Sequence, residues 1–537
     1  MTTTPCYQSK TSRQKLNRKR AFVILLELIL ITFIHLPRNA QGEGTQIAIE
    51  QVNQAVQEIQ KLCQSEIQQD EVPGLAIAVV FQDRTLFAAG FGVRDVTTKD
   101  PINADTVFQL ASLSKPIGST LMAELVGEGK ITWDSKISDL DPAFQMYDPW
   151  VTREITLADF YAHRSGLPAH AGDLLEDLGF TRQEVLHRLR YQRPDSSFRS
   201  HYAYTNFGIT EAGVAATKAY SLTWEDASEQ KLYRPLGMNS TSSRLADFLA
   251  RPNKALGHVQ ENGKWVQKYQ RDPDPESPAG GVSSSVNDLT NWMRLQLAKG
   301  QFQGHQVVDE KALASTHWPQ MLTGFSPLTG LPTFYGLGWN VNYDQEGRLR
   351  LGHSGAFALG AGTAVLLVPS EHLGVVVLTN AAPIGIAEGL TFTFTDLALY
   401  GKATQDWFSL FKKVFSDPAA VGVVPGADYS ERPESPAPAL GNSAYLGTYS
   451  NNYFGEVQII EKGDGLAIVE GPHKLTFALQ PYDRDTFTCQ TIGENAVGAT
   501  GVTFTIGPNG KATTMVIENL NVRGEGIFQR SSDINGQ

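Results

Sequence analysis

The chain has 537 residues, 41% hydrophobic and 19% charged, with 45 Lys and Arg against 56 Asp and Glu for a formal charge of −11. This composition excludes a disordered or fibrous chain, and the acidic balance gives no footing to a nucleic-acid partner, whose binding needs a basic surface. Only Cys6, Cys63 and Cys489 are cysteines, which excludes a disulfide scaffold or a cysteine-rich metal domain.

At the N-terminus, Lys10, Arg13, Lys15, Arg18, Lys19 and Arg20 precede the apolar stretch Ala21 to Leu36, which ends at Pro37-Arg38-Asn39-Ala40. A basic head, an apolar core and a small residue read as a secretory signal over residues 1–40, so the protein is expected to be exported, periplasmic or secreted. The core is short for a membrane span, which needs about 20 apolar residues, and it contains Glu27. An uncleaved anchor tethering the chain to a membrane is the alternative, which Arg38 beside the cleavage position keeps open; a buried helix is the third. Without residues 1–40 the chain keeps 38 basic and 55 acidic residues, a charge of −17. Cys63 and Cys489 fall in different expected domains, so two buried free thiols are preferred over a disulfide.

Apolar residues from Ile47 to Ile67 recur at three- and four-residue spacing and predict a helix over 46–69. Pro73-Gly74 ends it. Leu75 to Phe81 and Thr85 to Phe91 predict two strands about a turn at Gln82-Asp83-Arg84. A helix is expected over Ser114 to Lys130, then helical stretches around 156–163, 181–190, 207–219 and 286–298. Strand patterns return at Gly338 to Tyr343, Arg348 to Leu351, Gly362 to Val368 and Gly374 to Thr379, and helices follow at 385–399 and 405–415. Strands at both ends with helices between them imply an α+β domain, 46–417, whose terminal strands share one sheet. Residues 418–443, rich in Pro, Ser and charge, read as a linker. From 444 to 537 short strands alternate with tight turns: GEVQII, LAIVE, KLTFAL, DTFTCQT, VTFTI and TTMVIE. They predict a small all-β domain of about 90–100 residues.

The sharpest local signal is FQLASLSKP (108–116), an S-x-x-K at a helix start with Pro116 in the first turn. Helical spacing puts Ser112 and Lys115 on one face, where an ammonium eases removal of the serine proton or a neutral amine accepts it. The helix N-terminus adds free N–H groups where an oxyanion would form. Taken alone, the pair is equally an ordinary helix start with an exposed lysine. Two further segments bear on it: Y-x-N at Tyr204-Thr205-Asn206 and H-x-G at His353-Ser354-Gly355, the latter flanked by strand sequence. The stretch Gly352 to Ala356 also approaches the G-x-S-x-G elbow, with Ser354 as nucleophile, but that elbow needs strand–turn–helix and a strand pattern follows here. No H-E-x-x-H, C-x-x-C or Walker A sequence occurs, and no cofactor or metal is expected.

Serine–lysine, then tyrosine–asparagine, then a basic residue before x-Gly is the order found in the serine β-lactamase and penicillin-binding superfamily, which this sequence resembles over roughly residues 46–400. It is most similar to the class C-like branch of esterases, D-amino-acid peptidases and lactamase-like proteases. ITLADFYAHRSGLP (155–168), YRPLGM (233–238), SPAGGVSSSVNDLTNWM (277–293) and YGLGW (335–339) are companion segments. The resemblance implies a β-lactamase/transpeptidase-like fold, an antiparallel sheet flanked by helices. It implies Ser112 as the nucleophile forming an acyl-enzyme, Lys115 as its activator, and Tyr204 as general base through a stabilised phenolate. Asn206 would position the substrate, with Ser354, Gly355 and Ala356 also substrate-binding; His353 would stand at the third-motif basic position, and the Ala356 N–H would complete the oxyanion hole with that of Ser112. Where dedicated β-lactamases carry Lys-Thr-Gly, this chain has His-Ser-Gly, and a mostly neutral histidine binds a carboxylate less strongly than lysine. The expected partner is therefore an ester or a small D-amino-acid peptide or amide, with β-lactamase or D-Ala-D-Ala carboxypeptidase activity, or a non-catalytic penicillin-recognising module, as alternatives. The last domain resembles a lipocalin-like appendage: a lid, filter or oligomer contact on one reading, a stabilising module on the other.

Overall fold

A computed structural model describes residues 47–326, 329–417 and 426–531; the export or anchor segment and Cys6 lie outside the described residues. Eight strands form one antiparallel sheet: β1 (Gly74–Phe81), β2 (Arg84–Gly92), β3 (Met321–Phe325), β4 (Pro332–Tyr335), β5 (Asn340–Tyr343), β6 (Leu349–Phe357), β7 (Ala361–Val368) and β8 (Leu373–Thr379). Their spatial order is β2-β1-β8-β7-β6-β5-β4-β3, so the N-terminal pair joins the C-terminal strands, as the α+β reading requires. The central strands are near-continuous apolar runs because both faces are covered. Leu75, Ile77, Val79 and Phe81 pack with Ala364, Leu366, Val375 and Val377 beneath two helices, α1 (Ile49–Gln68) and α5 (Ile386–Tyr400). Ala76, Ala78 and Val80, with Val365, Leu367 and Val376, face the other core, which holds α2 (Ser114–Gly127), α3 (Asn206–Lys218) and α4 (Val286–Leu297). Each such Val, Leu, Ile or Phe side chain is worth about 1.5–3 kcal/mol of burial, so a one-residue slip that swapped the faces would be costly.

α2 is buried on nearly its whole circumference, from Ser114 through Ala123 and Leu125, its polar Ser114, Lys115, Ser119 and Thr120 included. Trp292 of α4 stacks on Trp339 behind it, with ring centroids 5.5 Å apart, and donates its indole N–H to Thr120 Oγ1 at 3.0 Å.

The C-terminal strands close into an antiparallel barrel: β9 (Gly447–Asn451), β10 (Gly455–Lys462), β11 (Gly465–Glu470), β12 (Leu475–Asp483), β13 (Thr486–Gln490), β14 (Ala499–Ile506), β15 (Ala512–Ile517) and β16 (Ile527–Arg530). Pairing of Tyr449 with Arg530 joins first strand to last and removes the sheet edges. Its core is continuous with that of the larger domain. The segment read as a linker does not hang free over its described part, residues 426–443. Ala437 N donates to Asp483 at 2.7 Å, Tyr482 OH donates to the Glu431 carbonyl at 3.0 Å, and the Tyr429 and Tyr482 rings meet edge to face. Cys63 and Cys489 are free and buried. Among the described residues no helix is long and apolar enough to cross a membrane, and no group of three or more His, Cys, Asp or Glu side chains stands at metal-ligand spacing.

Candidate active site

Ser112 sits in a single 3₁₀ turn, Ala111–Leu113, that runs directly into α2. Ala111 holds φ of 50°, a left-handed conformation that costs a non-glycine residue about 1–3 kcal/mol and that collects at functional sites. The plain reading of Lys115 as a surface lysine is overturned: its exposure is 0%. Lys115 Nζ donates to Ser112 Oγ at 3.0 Å, to Asn206 Oδ1 at 2.7 Å and to the Ala279 carbonyl at 3.1 Å. Tyr204 OH donates to the same Ser112 Oγ at 2.7 Å, and Lys115 Nζ lies 4.5 Å from the Tyr204 ring centroid. Lys115 and Tyr204 thus meet at the Ser112 oxygen, and Asn206 joins them through Lys115 Nζ.

Burial lowers the Lys115 pKa to about 8, against the opposing pull of Glu276 and Asp173. Burial pushes Tyr204 well above its ordinary 10, outweighing the Ser112 hydrogen bond. The expected phenolate is therefore replaced by a protonated phenol, and Lys115 is the group of the pair that changes charge near neutral pH. Removing solvent from an anion that has only one half-shared cation nearby costs more than the attraction returns.

β5 ends at Asn340 opposite Gly352, so the β6 edge from His353 onward has no partner on that side and lies against the 3₁₀ turn. Gly355 makes the approach possible: a Cβ there would stand 2.2 Å from Leu110 O and 2.9 Å from Leu113 N. That contact is the physical reason for glycine after His-Ser. His353 Nδ1 bonds the Ser354 carbonyl at 2.6 Å, and Nε2 bonds Tyr335 OH at 2.9 Å. A carbonyl only accepts, so Nδ1 carries the proton and Nε2 accepts from the phenol, which satisfies the neutral ring completely. Burial, then Lys115, lowers its pKa to about 3.

Ser354 pairs with Ala364, whose side chain belongs to the α1/α5 core, and its hydroxyl bonds the buried Glu388 carboxyl of α5. The side chain therefore points away from Ser112. This corrects the expectation that the Ser354 hydroxyl binds substrate, and also disposes of it as an elbow nucleophile, because it lies within a strand. Ala356 is exposed.

Several contributors had no place in the motif reading. Asp173 accepts from Asn206 Nδ2 at 3.0 Å and bonds His170 Nδ1 at 2.9 Å, which fixes the Asn206 amide so that its oxygen faces Lys115. His163 Nδ1 accepts from Thr205 N at 3.1 Å, and its ring lies 4.6 Å from that of Tyr204. His163, Ala279 and Tyr335 all fall in companion segments, where a site role was legible in outline. Asp173 and Glu276 were signalled by nothing local.

A family model described as Beta-lactamase matches residues 52–390, and one described as a domain of unknown function, DUF3471, matches 431–530. The chain is similar to an unguisins hydrolase of Aspergillus violaceofuscus, 24% identical over 430 residues that cover 74% of this chain and 75% of that one. It is also similar to penicillin-binding protein 4 of Amycolatopsis lactamdurans, 28% identical over 61% of this chain and 84% of that protein. In structure it resembles the octameric penicillin-binding protein homologue from Pyrococcus abyssi, with a TM-score of 0.58 at 18% identity, over 86% of this chain and 98% of that one. With the family model matched over more than half its length, the chain belongs to the beta-lactamase family of serine hydrolases.

Proposed function

We propose that the protein hydrolyses esters or small D-amino-acid peptides and amides through an acyl-enzyme on Ser112. Neutral Lys115 takes the Ser112 proton as Oγ attacks the substrate carbonyl. The tetrahedral oxyanion is held by the N–H groups of Ser112 and Ala356, and Tyr204 hands its phenolic proton to the leaving group and recovers one from Lys115. Water then enters where the leaving group departed and the sequence runs in reverse: Tyr204 passes its proton to Lys115 and takes one from the attacking water, and Lys115 returns a proton to Ser112 Oγ as the acyl–oxygen bond breaks. Asn206 orients the substrate. The observation that carries the substrate class is His353, neutral and saturated by Tyr335 and the Ser354 carbonyl: it offers no cation to the carboxylate of a β-lactam or a peptide C-terminus.

A fluorophosphonate probe, followed by mass spectrometry, tests the chemistry. An adduct on Ser112 that disappears in Ser112→Ala is expected; an adduct on Ser354, or none on a folded chain, overturns it. Short-chain esters and D-aminoacyl amides should be turned over with higher kcat/KM than a chromogenic cephalosporin, and the reverse order would sink the substrate reading. The basic run and apolar core of residues 10–36 further support placing this hydrolase outside the cytoplasm; a cytoplasmic product with an intact N-terminus would refute that.

A further inference from the structure

The loop 491–498, between β13 and β14 of the barrel, reaches both rims of the cleft. On one side the Asp177 carboxylate accepts from Glu494 N, Asn495 N and Asn495 Nδ2, each at 2.9 Å. Gly493 permits this approach, since a Cβ there would stand 2.5 Å from Asp177 Oδ1. Asp177 ends the short helix Asp173–Asp177, whose first residue holds the Asn206 amide. On the other side the Glu494 carboxylate accepts from Ala358 N at 2.5 Å and from Leu359 N at 3.4 Å. These two amides cap the turn between β6 and β7, two and three residues beyond Ala356. Phe357 in the same turn packs against Ala111, the strained residue before Ser112, and the Arg271 guanidinium lies 5.0 Å from its ring centroid. Arg271 is held by Glu176 at 2.7 Å and Glu276 at 3.0 Å, and its Nε stands 3.9 Å from Glu494. The Glu494 carboxyl, mostly enclosed beside the Arg271 guanidinium, thus accepts from two backbone amides of the hydrolase domain.

We propose that Glu494 is a positioning residue for hydrolysis: by capping the β6–β7 turn it holds the Ala356 N–H against Ser112, so the C-terminal barrel completes the oxyanion hole. The inference rests on the acyl-enzyme reading of Ser112. A donor displaced by a fraction of an ångström loses much of its effect on the transition state and little of its effect on ground-state binding.

The test compares Glu494→Ala and Glu494→Gln with the unaltered full-length chain, using a short-chain ester and a boronic acid that adds to Ser112 as a tetrahedral anion. Glu494→Ala should lower kcat roughly 10- to 100-fold while KM stays within about threefold, and the boronate affinity should fall with kcat. Glu494→Gln, which keeps one acceptor oxygen and nearly the same volume, should fall between the two and carries the test if Glu494→Ala unfolds. Arg523→Ala breaks a different barrel contact, the ion pair to Asp195, and should leave kcat unchanged. Unchanged kcat and boronate affinity in a folded Glu494 variant, with normal fluorophosphonate labelling of Ser112, overturn the inference alone. Failure of the unaltered chain to label at Ser112 overturns the functional reading and the inference with it.

Discussion

Gly355→Ala adds a single methyl where the strand meets the 3₁₀ turn of Ser112. The new methyl would stand 2.2 Å from Leu110 O, 2.3 Å from Thr363 Oγ1 and 2.9 Å from Leu113 N. Two of these atoms are backbone, and Thr363 Oγ1 is tied to Leu110 O at 2.8 Å, so no flexible side chain can give way. Restoring ordinary contact means parting β6 from the 3₁₀ turn by about 1 Å. The Ala356 N–H moves with the strand, out of the 2.7–3.1 Å range that an oxyanion donor needs. Losing one such donor costs about 10²–10³ in kcat, and the forced separation costs about 1–3 kcal/mol of stability. Steady-state kinetics on a short-chain ester, beside thermal melts of the same samples, measure both. A folded Gly355→Ala chain with kcat within threefold of the unaltered protein would refute the placement of the oxyanion donor on β6.

Three further outcomes follow from charges in and around the cleft. With Lys115 titrating at about 8 and required as the neutral amine, kcat/KM should rise roughly tenfold from pH 7 to a plateau near pH 9.5; a profile governed near pH 6.5, the ordinary histidine value, would contradict it. His353→Lys removes the neutral ring that bonds Tyr335 and brings in an ammonium, so the kcat/KM ratio of a carboxylate-bearing cephalosporin to an uncharged ester should rise at least tenfold, and an unchanged ratio would count against the substrate reading. Asp159 is fully buried and binds Arg164 Nε at 2.7 Å and Arg199 Nη2 at 2.8 Å. Burial pushes its pKa up, but the hydrogen bonds from Arg199, Arg164 and Thr156 outweigh that, and it ends below 3.8. Its stabilisation is therefore present above about pH 4 and is lost as pH falls through the depressed value. Asp159→Asn should cost about 2 kcal/mol at pH 7, discounted because Arg199 is half exposed. The difference in melting temperature from the unaltered chain should shrink below pH 4, and a constant difference would disprove the linkage.

What could be read from the sequence depended on how local the cause was. LAIAVVF and the strands after Gly362 announce themselves because two-sided burial demands unbroken apolar runs. The strands β3 and β4 escaped notice: they form the sheet edge, half exposed, with glycine and proline in them, and their pairing is a tertiary fact. The barrel's closing strands, GTYSN and IFQR, were missed for a similar reason, since each is short and partly polar and β16 is fastened by Arg530, which donates to the Ala512 carbonyl at 3.1 Å. β6 was expected to stop at Leu351, yet it continues to Phe357 through two glycines because β7 pairs it as far as Ala361. In the site, linear spacing brought forward Ser112, Lys115, Tyr204 and Asn206, which the fold joins in one hydrogen-bonded cluster. Spacing carries no information about which way a strand residue points, so it counts Ser354 with the substrate-binding residues although its side chain turns to the α1/α5 core. Nor did it carry desolvation, so Tyr204 was read as an anion.

The neutral His353 and the depressed Lys115 are two sides of one electrostatic arrangement. Burial lowers Lys115, while Glu276 first and Asp173 second draw it back up, and the balance falls at about 8. A permanent cation at position 353, on the ring that already lies 6.5 Å from Tyr204, would depress Lys115 further and compete for the same two carboxylates. Glu276 is itself divided, since it also binds Arg271, which Glu176 shares and Glu494 of the barrel approaches. Glu276 is thus shared between Lys115 and Arg271, and one neighbour of Arg271, Glu494, arrives from a separate domain more than two hundred residues along the chain. The barrel thus reaches the charge cluster around Lys115 through Glu494, which stands 3.9 Å from the guanidinium that Glu276 also binds.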